Sequence, residues 1–335
     1  MTGAGSKIQV FRSLPAQYLI AALLLVLLPI FITGRYELQM INLILIYIVI
    51  SAGLNITLGY AGQVSVAQSA LAAIGAYCSA LMVIRLGWPF VPAALVGVAA
   101  AGFIGAVMGL LTFRVRTHYL LLVTFGFHVI ILVFISNLVD LTGGPVGLSV
   151  PRMVIGGWQA RTQFDHYLVF APITLLLLFA AERLKRSRTG LAMYALKNNE
   201  KGARAVGISP IYYRTLAMAL GGLYAGVGGV MFAFLIRFLG PGSFDLHSAL
   251  LYILIIVVGG LGSTWGLVLS TVLLTFLAEE LKTFAESWVL IYGLLIIVVM
   301  IVMPGGFAGL GRRLVARFTR AKFDAVAHDG REPAA

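Results

Sequence analysis

The stretch LIAALLLVLLPIFI, residues 19–32, contains no charged side chain and indicates what kind of protein this is. The rest of the 335-residue chain has the same character: 60% of its residues are hydrophobic, 11% are charged, and the mean hydropathy is +1.00. A soluble globular domain is about 25% charged, and a disordered chain is poor in aliphatic residues. The composition therefore predicts an all-α integral membrane protein and excludes a soluble enzyme.

Ten apolar runs are candidates for membrane-spanning helices, each of which needs about 20 apolar residues. They lie at 14–32, 38–58, 69–84, 90–113, 118–139, 166–181, 212–235, 248–259, 266–281 and 287–303. Three of them are short, and glycines beside two of these suggest half-helices or re-entrant turns. We therefore expect a polytopic protein with about ten transmembrane helices, some broken or re-entrant, in a single transmembrane domain over residues 1–335.

The basic residues predict the orientation of the chain. Ten spans place both termini on one side, and the loops and tail on that side hold three quarters of the 24 Lys and Arg residues. Because basic residues accumulate on the cytoplasmic side, we expect cytoplasmic termini, a cytoplasmic loop at 182–211 and a basic cytoplasmic tail at 311–335. This bias explains the net charge of +12 without nucleic acid. The run 14–32 is expected to stay as a helix, because no signal-peptide cleavage site follows it.

Two loops are long. The outer loop, 140–165, is rich in Gly and Pro and predicts structured turns. In the inner loop, Thr189 is a candidate N-cap, residues 190–206 have helical composition, Gly207 suits the C′ position and Pro210 follows. We expect a cytoplasmic helix of about four turns here, and its small apolar surface favours docking to another protein over a solvated connector.

Uncharged polar side chains cluster around an expected break with the pattern Gly-x-x-Gly at Gly59 and Gly62. The pattern recurs at Gly259 and Gly262, either as a second break or by chance in a chain with 38 glycines. The cluster consists of Asn55, Gln63, Ser65, Gln68 and Ser69. Polar side chains beside an opened backbone suggest a water-filled path, although hydrogen bonds between helices account for any one of them alone. Thr124 and His128, in the fifth run, are further candidates for the path.

The sequence carries no recognisable motif for catalysis or ATP binding. No carboxylate lies in the middle of an apolar run, no Walker A sequence occurs, and no Cys-x-x-Cys or His/Glu pair has metal-binding spacing. The single cysteine, Cys78, lies in an apolar run and is expected to pack there. We therefore expect no cofactor and no metal, and an intramembrane enzyme has no visible active site. A transporter driven by a partner and a self-contained channel or facilitator both remain, and the cytoplasmic helix favours the transporter.

Several stretches resemble the permease subunits of branched-chain amino acid ABC importers. GLNITLGYAGQVSVAQSALAAIGAY at 53–77 is similar to their opening signature, and RSRTGLAMYALKNNEKGARAVGIS at 186–209 is similar to their cytoplasmic coupling motif. Other matching elements are LLLVTFGF at 120–127, LTGGPVGL at 141–148, GPGSF at 240–244, GGLGSTWG at 259–266, YG at 292–293 and PGGFAGL at 304–310. The resemblance covers nearly the whole chain and is greater to the longer of the family's two permease types.

The resemblance implies a permease subunit in a bacterial inner membrane that works by alternating access. The implied partners are two ATP-binding cassette ATPase subunits, a second related permease subunit, a periplasmic solute-binding protein and membrane lipid. ATP hydrolysis is then expected on separate subunits. The implied solutes are branched-chain amino acids, or related small solutes such as urea, amides and aromatic acids. The residues implied in coupling to the ATPases are Ala195, Asn199, Glu200, Ala203 and Gly207.

Three differences from the family pattern concern the solute and the coupling motif. They are Val129 and Leu132 in place of a carboxylate and an arginine, Ala67 and Gln68 in place of Gly-His, and Met193 and Tyr194 in place of residues that are often basic. The first two differences bear on which solute is carried. The third leaves the expected coupling role intact, because Glu200 and Gly207 are present.

Overall fold

The structure is a computed structural model that describes residues 34–112, 117–284, 293, 306–307 and 309. It is mostly helical, as predicted. Within the described residues the α-helices are α1 (Arg35–Leu54), α2 (Gln68–Leu86), α3 (Phe90–Thr112), α4 (Thr117–Asn137), α5 (Val139–Thr142), α6 (Gln163–Arg186), α7 (Arg188–Asn198), α8 (Glu200–Ala205), α9 (Pro210–Ile236), α10 (Leu246–Gly259) and α11 (Thr264–Phe284). A π-helix at Asn55–Tyr60 continues α1, and 3₁₀ turns occur at Gly144–Val146 and Pro241–Phe244.

Seven helical segments in the described part of the chain are long and apolar enough to cross a membrane. They are Arg35–Tyr60, Gln68–Leu86, Phe90–Thr112, Tyr119–Asn137, Gln163–Arg186, Pro210–Ile236 and Pro241–Gly259, and Thr264–Glu279 is a shorter apolar helix. The expected number of about ten is therefore not reached here. The predicted runs 14–32 and 287–303, and the tail 311–335, lie outside the described residues.

Three predicted spans are longer in the structure than in the sequence analysis. The run 69–84 belongs to a 19-residue helix, and 248–259 belongs to the 19-residue segment Pro241–Gly259, so both are long enough to span. The run 166–181 extends to Arg186, because Glu182 pairs with Arg186 (3.1 Å) and Lys185 (3.9 Å) on the same helix face. Hydropathy identified the apolar centre of each helix and missed its polar ends.

The chain divides into two compact units, residues 1–253 and 254–335. In the first unit, α9 packs against α2 and α3 through small residues. A Cβ added to Gly229 would lie 1.9 Å from the Ala72 carbonyl oxygen, and one added to Gly75 would lie 2.6 Å from the Gly226 Cα. The helix backbones therefore touch, which is how small residues hold membrane helices together. The first span, Arg35–Tyr60, is the most enclosed of the seven.

The predicted turns of loop 140–165 are confirmed. Strand β2 (Val154–Ile155) pairs with β3 (Trp158–Gln159) in a short antiparallel hairpin, and β1 (Leu148–Ser149) pairs with β4 (Phe238–Leu239). The loop ends at Thr162, the N-cap of α6, which forms a capping box with Asp165.

In the second unit, the end of α10 and α11 form a tight helical pair. The turn between them contains Gly260 and Gly262, whose φ angles of +96° and +82° favour glycine. Ser270 Oγ of α11 donates to the Ile255 carbonyl of α10 at 2.6 Å. The predicted break is thus present at Gly262, whereas Gly259 is the last residue of α10.

Candidate functional site

The first span ends in a π-helix and a turn, and this is where the sequence predicted a break. The amide of Ala61 donates to the Ile56 carbonyl at 3.2 Å, an i→i+5 bond. Gly62 follows with φ +71°, and the chain then runs without helix until α2 begins at Gln68. Gly62 therefore forms the turn, while Gly59 lies within the π-helix. Single π-helical turns occur frequently at functional sites.

Several of the predicted path residues are buried and hydrogen-bonded. Gln68 Nε2 donates to the carbonyls of Ile50 on α1 and Gly221 on α9, both at 3.0 Å. Ser69 Oγ donates to the Phe244 carbonyl at 3.0 Å. Ser65 Oγ accepts from the Ala67 amide at 3.2 Å. All of these side chains are buried, as is Asn55.

Gln63 and His128 differ from the other path residues, because part of their hydrogen-bonding capacity is unused. Gln63 Oε1 and both ring nitrogens of His128 are buried and have no hydrogen-bond partner among the described residues. Thr124, one turn before His128 on α4, accepts a bond from the Val66 amide at 3.2 Å, so α4 meets the segment that follows Gln63 at this junction. A buried polar atom without a partner costs about 1–3 kcal/mol. These atoms are therefore suited to meet a polar solute or water.

The cytoplasmic helix predicted at 190–206 is two helices, α7 and α8, which meet at Asn199. Asn199 has extended backbone angles, and its Oδ1 accepts from the Gly202 amide at 2.9 Å as the N-cap of α8. The N-cap of α7 is Ser187, whose Oγ accepts from the Gly190 amide at 3.2 Å, so the prediction of Thr189 was wrong. We call residues 187–209 the elbow.

Gly207 ends the elbow's second helix, as predicted. Its φ is +83°. The Gly207 amide donates to the Arg204 carbonyl, and the Ile208 amide donates to the Ala203 carbonyl, both at 3.0 Å. This pair of bonds is the Schellman motif, in which C′ is left-handed and usually glycine.

One face of the elbow is attached to the spans. Met193, Leu196 and Ala203 are buried there. Lys197 Nζ donates to the Gly59 carbonyl in the π-helix at 2.7 Å. Glu200 links α8 to α9 by an ion pair with Arg214 at 2.8 Å.

Large apolar side chains are exposed on the elbow and at the start of α9. Leu191 is 63% exposed, Val206 75% and Tyr212 61%. The basic side chains of Lys201 and Arg204 on α8 are exposed as well. We call Leu191, Val206, Ile211 and Tyr212 the outer patch.

The predicted coupling residues are divided between the two faces of the elbow. Asn199 and Gly207 are exposed, Ala195 and Glu200 are half-buried, and Ala203 is buried. Lys197 was not among the predicted site residues. In the structure it lies four residues after the buried Met193, on the same side of α7.

The site holds no arrangement for metal chemistry in the part of the chain that the structure describes. No three His, Cys, Asp or Glu side chains there are grouped so as to bind a metal ion.

Comparison with known proteins gives the same family as the motifs. The sequence profile of the family described as "Branched-chain amino acid transport system / permease component" matches residues 37–303. The chain is 32% identical to the high-affinity branched-chain amino acid transport system permease protein LivM of Escherichia coli K12 over 322 residues, covering 88% of this chain and 75% of that protein. LivM of Salmonella typhimurium LT2 is 31% identical with the same coverage. No solved structure matches significantly.

The shorter permease type is less similar. LivH of Escherichia coli K12 is 24% identical over 282 residues, covering 78% of this chain and 91% of that protein. The resemblance predicted from the motifs, including the longer permease type, is therefore confirmed.

Proposed function

This chain belongs to the family of permease components of branched-chain amino acid transport systems, and from that membership we propose how it is coupled to its energy source. As a permease subunit of an ABC importer it is a multi-pass membrane protein, and the channel alternative is not favoured. We propose that one of two separate ATPase subunits binds the outer patch of the elbow on the cytoplasmic side of a bacterial inner membrane.

The observation that carries this proposal is the two-sided character of the elbow. Its outer patch exposes four large apolar side chains, outside the apolar centres of the spans: Leu191, Val206, Ile211 and Tyr212. Exposed apolar clusters bordered by polar residues are typical of protein interfaces. The inner face is fixed to α9 and to the π-helix, so a protein bound outside can move the spans.

Glu200 acts on the inner side of this arrangement. Its carboxylate pairs with Arg204 at 2.5 Å and with Arg214 at 2.8 Å. It therefore holds the elbow against α9, and we assign its coupling role to this attachment. Gly207 and Asn199 act by shaping the elbow, through the left-handed stop and the N-cap.

We propose that the solute passes the junction near Gln63 and His128 when the permease opens. Their unused hydrogen-bonding atoms are suited to the polar ends of an amino acid. Branched-chain amino acids are the first candidate solutes, followed by urea, small amides and aromatic acids. A periplasmic solute-binding protein delivers the solute, and alternating access returns the path to the outside after ATP binding.

A second related permease subunit completes the proposed path. The exposed apolar face of α4, which includes Leu122, Ile130 and Phe134, supports contact with that subunit or with lipid. We further propose that both termini are cytoplasmic, as the basic loops suggest.

The test of the proposal is ATPase binding to the outer patch. In the complex purified with its partner subunits, the double substitution Leu191→Ser and Val206→Ser should weaken ATPase binding by about tenfold or more, since truncating a central interface side chain costs about 1–2 kcal/mol. ATP-driven uptake of leucine into liposomes should fall with it.

The matched control is Val154→Ser, an exposed valine (42%) in loop 140–165, which should bind ATPases normally. Equal ATPase binding by the double variant, the control and the parent chain would contradict docking at the outer patch.

A further inference from the structure

The elbow touches the π-helix at one small cluster, which consists of Gly59, Tyr60, Gly62, Tyr194 and Lys197. The Lys197 ammonium donates to the Gly59 carbonyl at 2.7 Å. The Tyr194 ring lies 5.5 Å from the Tyr60 ring, centroid to centroid. A Cβ added to Gly62 would lie 2.9 Å from Lys197 Cγ, so the lysine stem runs directly over that glycine.

The lysine binds a backbone carbonyl where a carboxylate would be the usual partner. Among the described residues, Lys197 makes no ion pair. The carbonyls at the end of a helix carry partial negative charge, which favours a cation. Lys197 Nζ also lies 5.9 Å from the Tyr194 ring centroid, within cation–π range. Burial nevertheless lowers the pKa of the Lys197 ammonium. The loss of hydration therefore opposes the charge at this position, and the bond to the Gly59 carbonyl offsets part of that loss.

The bond between Lys197 and the Gly59 carbonyl depends on the backbone conformation of the π-helix. The i→i+5 pattern holds one more residue in each hydrogen-bonded loop than the i→i+4 pattern of an α-helix. Conversion from one to the other shifts the following chain by about one residue, or about 1.5 Å of rise and about 100° of rotation. The Gly59 carbonyl would then point elsewhere. Gln63 lies three residues after the π-helix, and its amide donates to the Thr57 carbonyl within it at 2.9 Å, so the same shift would move its side chain.

We infer that Lys197 is the positioning residue through which movement of the elbow reaches the path, by holding the Gly59 carbonyl and with it the π-helical form of residues 55–60. The inference rests on the proposed function, since the ATPases must move the elbow. Glu200, three residues after Lys197, pairs with Arg214 of α9. Movement of the elbow is then transmitted through Lys197 to the turn at Gly62 and Gln63.

The experiment measures the movement of Gln63 without requiring the solute. In a Cys78→Ser background, the substitution Gln63→Cys supplies a thiol, and its reaction with a small polar thiol reagent is measured in the full complex with and without ATP. Lys197→Met should retain ATPase binding and ATP hydrolysis within about twofold. Its ATP-dependent change in thiol reactivity should fall at least fivefold, and Lys197→Arg should restore most of it.

The matched control is Lys185→Met, which removes a partly exposed lysine just outside the elbow, 3.9 Å from Glu182. It should behave like the parent, because such pairs contribute about 0–1 kcal/mol. A full ATP-dependent change in Lys197→Met would overturn the inference and leave the proposed function standing. Failure of the parent chain to bind ATPases would overturn both.

A second variant covers the case in which Lys197→Met does not assemble. Gly62→Ala keeps the lysine and displaces its stem, and its effect is measured at Ser65→Cys. Gly87→Ala is the control, because Gly87 has a similar φ of +63° but nothing within 4 Å of an added Cβ. Loss of the ATP response in Gly62→Ala alone supports the inference, and an equal response in both variants overturns it.

Discussion

Two buried glutamines five residues apart have opposite roles. Gln68 Nε2 donates to two carbonyls, of Ile50 and Gly221, and holds the start of α2 between α1 and α9. Gln63 is equally buried, yet its Oε1 has no partner among the described residues. The bonds of Gln68 stabilise the packing of these helices, whereas the unpaired Gln63 oxygen contributes no such bond and calls for another explanation.

This difference predicts opposite effects on stability and transport. Gln68→Leu should lower the free energy of unfolding by about 1–3 kcal/mol, because two hydrogen bonds are lost. Gln63→Leu should leave the melting temperature of the purified complex unchanged or higher, and should reduce ATP-driven uptake. Thermal melting in detergent and uptake into liposomes measure the two quantities. A Gln63→Leu complex with a lower melting temperature than the parent and normal uptake would show that Gln63 serves packing and not transport.

At the scale of the element, the elbow depends on how its two short helices end. Gly207 has φ +83°, but nothing lies within 4 Å of an added Cβ, so conformation and not space demands glycine there. Left-handed backbone costs an ordinary L-residue about 1–2 kcal/mol, and asparagine tolerates it best.

Gly207→Val should therefore displace the end of α8 and reduce uptake strongly, while Gly207→Asn should remain close to the parent. The spans should fold in both variants, which thermal melting of the purified chain checks. Normal uptake and normal substrate-stimulated ATP hydrolysis in Gly207→Val would show that the shape of the elbow does not matter for coupling.

The sequence predicted those parts of the elements that depend on local signals. The apolar centres of the spans, the turn at Gly62 and the stop at Gly207 follow from hydropathy and from glycine's conformational freedom. The break at Asn199 was missed because residues 190–206 have helical composition throughout, and only the cap bond to Gly202 shows where one helix yields to another. The sequence alone does not distinguish Ser187 from Thr189 as the N-cap of α7. The structure does, because the chain at Gly190 passes so close to α6 that an added Cβ would lie 2.2 Å from the Leu184 carbonyl oxygen.

The candidate site was predictable in its membership and not in its contacts. The polar residues around Gly62 stand out in an apolar chain, so they could be named from the sequence. Lys197 could not, because its partner is a backbone carbonyl 138 residues away, and carbonyls carry no sequence signal. The π-helix was missed for a similar reason: its pattern of hydrogen bonds depends on the helices packed around it.

At the scale of the whole molecule, the chain has an element that can transmit movement to the spans, but its sequence shows no motif that would supply energy for transport. The elbow joins an exposed apolar patch to the break in the first span, which suits a device moved from outside. The sequence holds no Walker A motif. Carboxylates that drive proton-coupled carriers lie within the membrane, and no Asp or Glu lies in the middle of a predicted span.

These features predict that the chain alone does not transport solute. Reconstituted alone in liposomes, the chain should carry no leucine, urea or small amide in either direction, because its path residues are buried in the absence of partners. Adding the two ATPases, the second permease subunit and the binding protein should give uptake that requires ATP and survives a proton uncoupler. Steady downhill flux through the lone chain would instead indicate a channel, and abolition of uptake by the uncoupler would indicate proton coupling. Downhill flux through the lone chain would contradict the importer mechanism, because a path that is open without ATPases does not depend on movement of the elbow.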